Sequence, residues 1–263
     1  MDIPAPRKTS VLFSLFLLSL ASLIILIPYP LSGGEKDSCV SCHSDPDFLV
    51  KNKKLYDYFQ NWKYSIHSME KVSCADCHGG NPAASSKAAA HASKVGGAES
   101  VVNSINYRNI PATCAKCHKS IYEKFKGSEH FKHLLSKSKG EQGPNCVTCH
   151  GSVSISVLNV NSVRETCEKC HNAKSGNNPD IPLEAEEILN NFLSIQRYFR
   201  FIGVRSGPKK ARSYFEVLEP MIKNLSAEWH SFNLKRVENE TKKILNVTRA
   251  IRNEIKSEEK GRR

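Results

Sequence analysis

The chain has 263 residues, 24% of them charged and 40% apolar, with 38 Lys and Arg against 26 Asp and Glu. That composition belongs to a globular protein and excludes a disordered or fibrous one. The formal charge of +12 would suit nucleic acid. No segment interleaves Lys and Arg with aromatics as a nucleic-acid groove requires, so that class of partner is set aside.

The N-terminal segment, residues 1–34, reads as an export signal or a membrane anchor. Arg7 and Lys8 precede an uncharged run over 11–27, which Pro28, Tyr29 and Pro30 end. A positive start, an apolar stretch and small residues after the break suit a signal peptide. The run is also at the lower limit for spanning a bilayer. In either case the positive-inside rule leaves Met1 in the cytoplasm and sends the rest out, to a periplasmic or extracellular location. No clear A-x-A cleavage site is present, and cleavage is only the slightly preferred reading.

Next come five copies of one unit, Cys-x-x-Cys-His. They are Cys39, Cys42 and His43; Cys74, Cys77 and His78; Cys114, Cys117 and His118; Cys146, Cys149 and His150; Cys167, Cys170 and His171. Each residue has a mechanical role in haem attachment: two cysteines form thioethers to the porphyrin vinyls, and the adjacent histidine is held under the iron. All ten cysteines are used and none is left over. Disulfide pairing would not place a histidine after every second cysteine. Zinc sites close with a further pair or with spaced histidines, and five pairs is an odd number for them. A thioredoxin-like motif occurs once in a fold. The expected cofactors are therefore five covalently bound c-type haems. Their ten propionates and five ferric porphyrins would bring the charge to about +7, so part of the basic excess answers the propionates.

The other half of the histidines carries the next inference. Five remain after the proximal ones: His67, His91, His130, His133 and His230. Beyond the start, methionine is limited to Met69 and Met221. The simplest assignment makes all five irons bis-histidine and closed to substrate. His67 and His130 sit in an echo, Trp62-Lys-Tyr-Ser65-Ile-His67 and Phe125-Lys-Gly-Ser128-Glu-His130, each ahead of a haem motif, which suggests a duplicated module. His230 falls on an apolar helical stripe beside Trp229, where an idle imidazole would be costly. His91 stands in an Ala-rich loop and also suits a surface residue. His133 is three residues from His130, so the two serve different haems or one is idle.

Around the motifs, helical pieces are predicted at 53–68 and 119–137, and a loop with one helical turn over 81–97. So few apolar runs could not order this stretch unaided, and buried porphyrins would supply the missing core. From Pro182 the pattern changes. A helix is predicted over 183–202, on Ile188, Leu189, Phe192, Ile195 and Phe199. Residues 203–208 break it. A second helix covers 209–218, and Pro220 opens a third at its first turn, along which Met221, Leu225, Trp229, Phe232, Ile244, Val247 and Ile251 recur. The tail after Ile255 is expected to fray. The fold class is thus mainly α with little regular structure around the haems, a multihaem cytochrome c architecture with a C-terminal helical hairpin or bundle. Residues 35–181 form the haem-binding domain and 182–263 the helical region packed on it. Three glycosylation sequons, starting at Asn224, Asn239 and Asn246, are read as chance.

The Ser-x-His echo, the haem-rich centre and the segment Trp229-His230-Ser-Phe-Asn resemble the hydroxylamine oxidoreductase and pentahaem nitrite reductase superfamily. The resemblance covers roughly residues 39–258. It implies closely packed haems beside long C-terminal helices, in a non-catalytic, electron-transfer member. Two departures stand out. The nitrite reductases use a lysine-ligated catalytic haem, whereas every motif here ends in histidine. Several relatives have a histidine shortly after Cys-His-Gly, where this chain continues Gly151-Ser152-Val153. A cross-linked tyrosine of the oxidoreductases has candidates in Tyr198 and Tyr214, with nothing to single either out.

The expected function is electron carriage through bis-histidine haems between redox partners outside the cytoplasm, such as a quinol-oxidising or terminal reductase complex. One alternative is an enzyme acting on a small nitrogen or sulfur compound at one open haem, with His91, His130 or His133 idle. The other is a subunit of a conducting oligomer or filament.

Overall fold

The structure, a computed structural model, describes residues 37–92, 105–136, 143–151 and 160–261. The expected export segment at 11–27 lies outside them. Among the described residues there is no β-strand, and no helix is long and apolar enough to cross a membrane.

Between 37 and 171 the described residues form a string of short helices, among them none longer than eleven residues: α1 Ser38–His43, α2 Asp47–Lys51, α3 Lys53–Lys63, α4 Ile66–Met69, α5 Cys74–His78, α6 Lys87–Ala90, α7 Ile110–Ala115, α8 Lys119–Lys126, α9 Glu129–Leu135, α10 Cys146–His150 and α11 Val160–Glu168. Three haem motifs are helical turns with a polar cap in front. Asp37 accepts from the Cys39 and Val40 amides. Ser73 and Asp76, and Asn145 and Thr148, form reciprocal capping boxes. Gly79 and Gly151 end two of these turns at φ 73° and 80°, which glycine takes without strain. The motif region is therefore more regular than expected, because each motif closes its own helical turn.

The echo Ser-x-His is a helix start. Both predicted helices, 53–68 and 119–137, break at that serine. Ser65 Oγ donates to the Trp62 carbonyl at 2.7 Å and accepts the Ser68 amide at 3.3 Å. Ser128 Oγ donates to the Phe125 carbonyl at 2.6 Å and accepts the Phe131 amide at 3.2 Å. Both serines are buried. His67 and His130 thereby become second residues of α4 and α9.

The C-terminal region is a bundle of three long helices, α12 Ile181–Arg205, α13 Pro208–Glu228 and α14 Leu234–Gly261. They run up, down and up. Ile188, Leu225 and Val237 share one end of the core with Ile195, Ile244 and Leu245. Ile202, Leu218 and Ile255 share the other. Pro220 does not open a third helix: it lies inside α13. Proline costs an interior helix about 3 kcal/mol. Pro220 and Glu216 are exposed, so the freed carbonyl meets water, while Leu218, Met221, Ile222 and Leu225 pack across the site. The tail after Ile255 is also not frayed. Lys210 bridges Glu254, at 2.9 Å, and Glu258, and Arg205 reaches Glu259 at 3.5 Å, so α14 runs on to Gly261. Thr241 and Thr248, two sequon hydroxyls, are buried.

The bundle meets the motif region along α8, which packs on α13, and α11, which packs on α12. One buried charge clasps the joint. Glu228, with its side chain 3% exposed, is held by Lys124 of α8 at 2.6 Å and Arg236 of α14 at 3.1 Å. Burial alone would raise its pKa. Hydrogen bonds from Lys124 and Ser231, with the charges of Lys124 and Arg236, outweigh that and hold the carboxyl below its ordinary range.

Candidate haem-binding centre

The ten cysteines are free thiols, two beside each motif histidine. Among the described residues no group of three or more metal-ligating side chains is gathered. What the fold brings together is imidazole pairs. The ring centroids of His43 and His91 lie 6.3 Å apart, His67 and His118 6.1 Å, His130 and His171 6.0 Å, and His150 and His230 6.0 Å. Each pair joins one motif histidine to one of the spare five.

That separation tests the fit of a haem iron. With the ligating nitrogen ~2 Å from a metal and ~1 Å from its ring centre, two imidazoles on opposite sides of one metal have centroids ~6 Å apart. Rings in direct stacking or hydrogen-bond contact would be closer. The four pairs thus fit axial ligation of iron, and each has its two cysteines beside it.

Protonation agrees. Burial, then the neighbouring His91, lowers His43; burial and His43 lower His78. Burial and the imidazoles of His171 and His133 push His130 down to about 4. His230 is lowered by burial, against a hydrogen bond to Ser226 that works the other way. These rings are neutral near pH 7, as an imidazole ligand must be.

The second shell is visible too. Nδ1 of His91 pairs with the Lys87 carbonyl at 2.8 Å, of His230 with Ser226 at 2.9 Å, and of His171 with Asn177 at 3.0 Å. Such bonds leave Nε2 for the metal and fix the ring plane. A cleft of about 400 Å³ opens beside Cys117 and His118, walled by Ile121, Lys223 and Ser226.

Consecutive motifs touch. Burial first, then Asp37 and the nearby Cys74 thiol, pushes Cys39 up to about 12. Cys77 feels Cys114, and Lys116 of the third motif donates to the Asp76 carbonyl of the second at 2.9 Å. Cys114 hydrogen-bonds Cys146, which keeps Cys114 protonated and lowers Cys146. Burial and then Cys167 push Cys149 up to about 11.

The placements differ from expectation at several spare residues. His91, read as a distal ligand or a surface residue, lies with its ring near that of His43. His230 is not mid-helix but in the 3-10 turn Trp229–Ser231 between α13 and α14, where Phe232 reverses the chain at φ 54°, ψ 20°. His133 is exposed on α9 and makes no ring contact among the described residues. Tyr214 donates to Glu254 at 2.8 Å and Tyr198 lies under Arg252, both in the bundle and away from the imidazole pairs. Sequence reasoning missed Glu228 and Phe232.

The motifs and the paired imidazoles define a multihaem c-type cytochrome with covalently bound haems. Residues 101–175, which hold three of the motifs, match the family model of cytochrome c7 and related cytochrome c. The chain is also similar to the multiheme cytochrome MtrA of Shewanella baltica (strain OS185), with 28% identity over 147 residues, 56% of this chain and 35% of that protein. The chain thus spans about a third of that relative's length. No solved structure matches.

Proposed function

We propose that the chain is a pentahaem electron carrier working outside the cytoplasm. The observation that carries this reading is the set of four imidazole pairs at 6.0–6.3 Å, each one motif histidine and one distal histidine. The assignments are His43 with His91, His118 with His67, His150 with His230 and His171 with His130. His133 is the remaining distal candidate, for His78. The cysteines of each motif hold the porphyrin by thioethers. When bound, the haems supply one-electron iron chemistry and pass electrons to one another.

The protein's part would be to supply two imidazoles to each paired iron, which would deny a substrate a place, and to fix ring planes through Lys87, Ser226 and Asn177. It also sets neighbouring motifs against each other in chain order. Partners are redox proteins, including a quinol-oxidising or terminal reductase complex. Export through residues 1–34, with or without an anchor, is part of the same proposal, as is non-catalytic membership in the hydroxylamine oxidoreductase and nitrite reductase superfamily. Helical starts at Ser65 and Ser128 and the long C-terminal helices support the latter.

A second reading rests on His133. Exposed and one turn from His130, it is the imidazole that a conducting filament would donate across an interface.

Electron paramagnetic resonance of the ferric holoprotein, with the haem number from its intact mass, tests the proposal. Five haems and only low-spin signals are expected, and His230→Ala should convert one haem to high spin. A substantial high-spin signal in the unaltered protein would overturn it in favour of an enzyme. Low-spin spectra that appear only in oligomeric fractions would favour the filament.

A further inference from the structure

Among the described residues, one buried side-chain nitrogen or oxygen lacks a hydrogen-bond partner: Nδ1 of His130. His91 and His230 each reach the carbonyl four residues back, in the helix that ends just before them. His130 cannot. It is the second residue of α9, and the chain turns at the buried Ser128 just before it, so no helical carbonyl stands behind the ring.

Aromatic rings stand there instead. The Phe232 ring lies edge-on to His130 at 4.3 Å, and Phe125 packs on Phe131 at 5.5 Å and on Phe232 at 6.2 Å. Phe232 holds this place with a left-handed backbone, φ 54° and ψ 20°. A bulky residue rarely adopts that conformation, and when it does the surrounding structure must enforce it. The same ring is 6.4 Å from His230, so it stands between the distal histidines of two sites.

A hydrogen bond from Nδ1–H makes an imidazole a stronger donor and stabilises ferric iron; a dry, apolar surrounding disfavours the extra charge of the ferric state. At His130 the bond is missing and the surroundings are aromatic, and both raise the potential, against the bond that Nδ1 of His171 makes to Asn177 on the other side. Resting on the ligand assignment above, we propose that Phe232 raises the reduction potential of the haem held by His171 and His130. Phe232 is the positioning residue that keeps His130 apolar and unbonded.

The test is a spectroelectrochemical titration of the holoprotein, with ferric resonance spectra alongside. His130→Ala should turn one low-spin signal high-spin and abolish one step, which identifies the step of this haem. Phe232→Asn suits the left-handed backbone and brings a carbonyl acceptor. It should lower that one step by about tenfold in its reduction equilibrium, ~59 mV for one electron, with the other steps in place. Phe232→Leu, apolar and without an acceptor, should leave the step where it was. If Phe232→Asn shifts nothing, or shifts a step other than the one His130→Ala removes, this inference fails while the ligand assignment stands. If His130→Ala leaves every low-spin signal intact, the ligand assignment falls and the inference with it.

Discussion

Twelve of the sixteen buried apolar side chains among the described residues lie between 181 and 261; Phe59, Phe125, Leu134 and Val163 serve the whole of 37–171. The bundle encloses a continuous aliphatic core from Ile188 to Ile255. The motif region has local caps, imidazole pairs and thiols facing one another, with little of its own to bury. Hydrophobic burial is the main term that offsets chain entropy. The lesson of the difference is that the second region folds on its sequence, while the first needs the apolar faces of its cofactors.

The largest effect expected from this contrast is on the chain made without haem, with the ten cysteines changed to alanine. Hydrogen exchange should then lose its protection across 37–171 and keep it across α12, α13 and α14. Equal protection in both regions would end the comparison. Next, Ile195→Ala, at a fully buried site, should destabilise the bundle by about 3–4 kcal/mol in denaturant unfolding. A loss under about 1 kcal/mol would mean that the core is not closed there.

The joint comes third. Glu228→Ala strands Lys124 and Arg236, both partly exposed. A cost of about 2–3 kcal/mol is expected, below the figure for a wholly buried pair. It should couple with the cost of Lys124→Met in a double-mutant cycle. Additive costs would mean that the two regions are not joined at this pair.

What the sequence made legible was whatever repeats or has a period. The five motifs, the Ser-x-His echo and the apolar spacing from Ile188 onward all translated into structure, as helical turns, helix starts and a bundle. Boundaries set by long-range packing did not. Pro220 looked like a start because its local chemistry is that of a first turn, yet packing on both sides carries the helix through it. His230 looked helical because the apolar stripe continues beyond it, and nothing local marks Phe232 as left-handed. The pairing of Lys124 with Glu228 spans 104 positions and leaves no pattern to read. His91 lies in an Ala-rich stretch, and only the fold brings its ring near His43.

For the electron carrier proposed above, contacts between motifs that follow chain order would make a circuit in series. Cys39 neighbours Cys74, Cys77 neighbours Cys114, Cys114 meets Cys146, and Cys149 neighbours Cys167. In a series circuit the position of a fault decides its consequence. One misassembled attachment site at Cys114 would cut conduction between the two ends. The same lesion at Cys39 or Cys167 would only shorten the wire and move its terminal inward. Selection for faultless maturation should therefore weigh hardest on the middle of the chain.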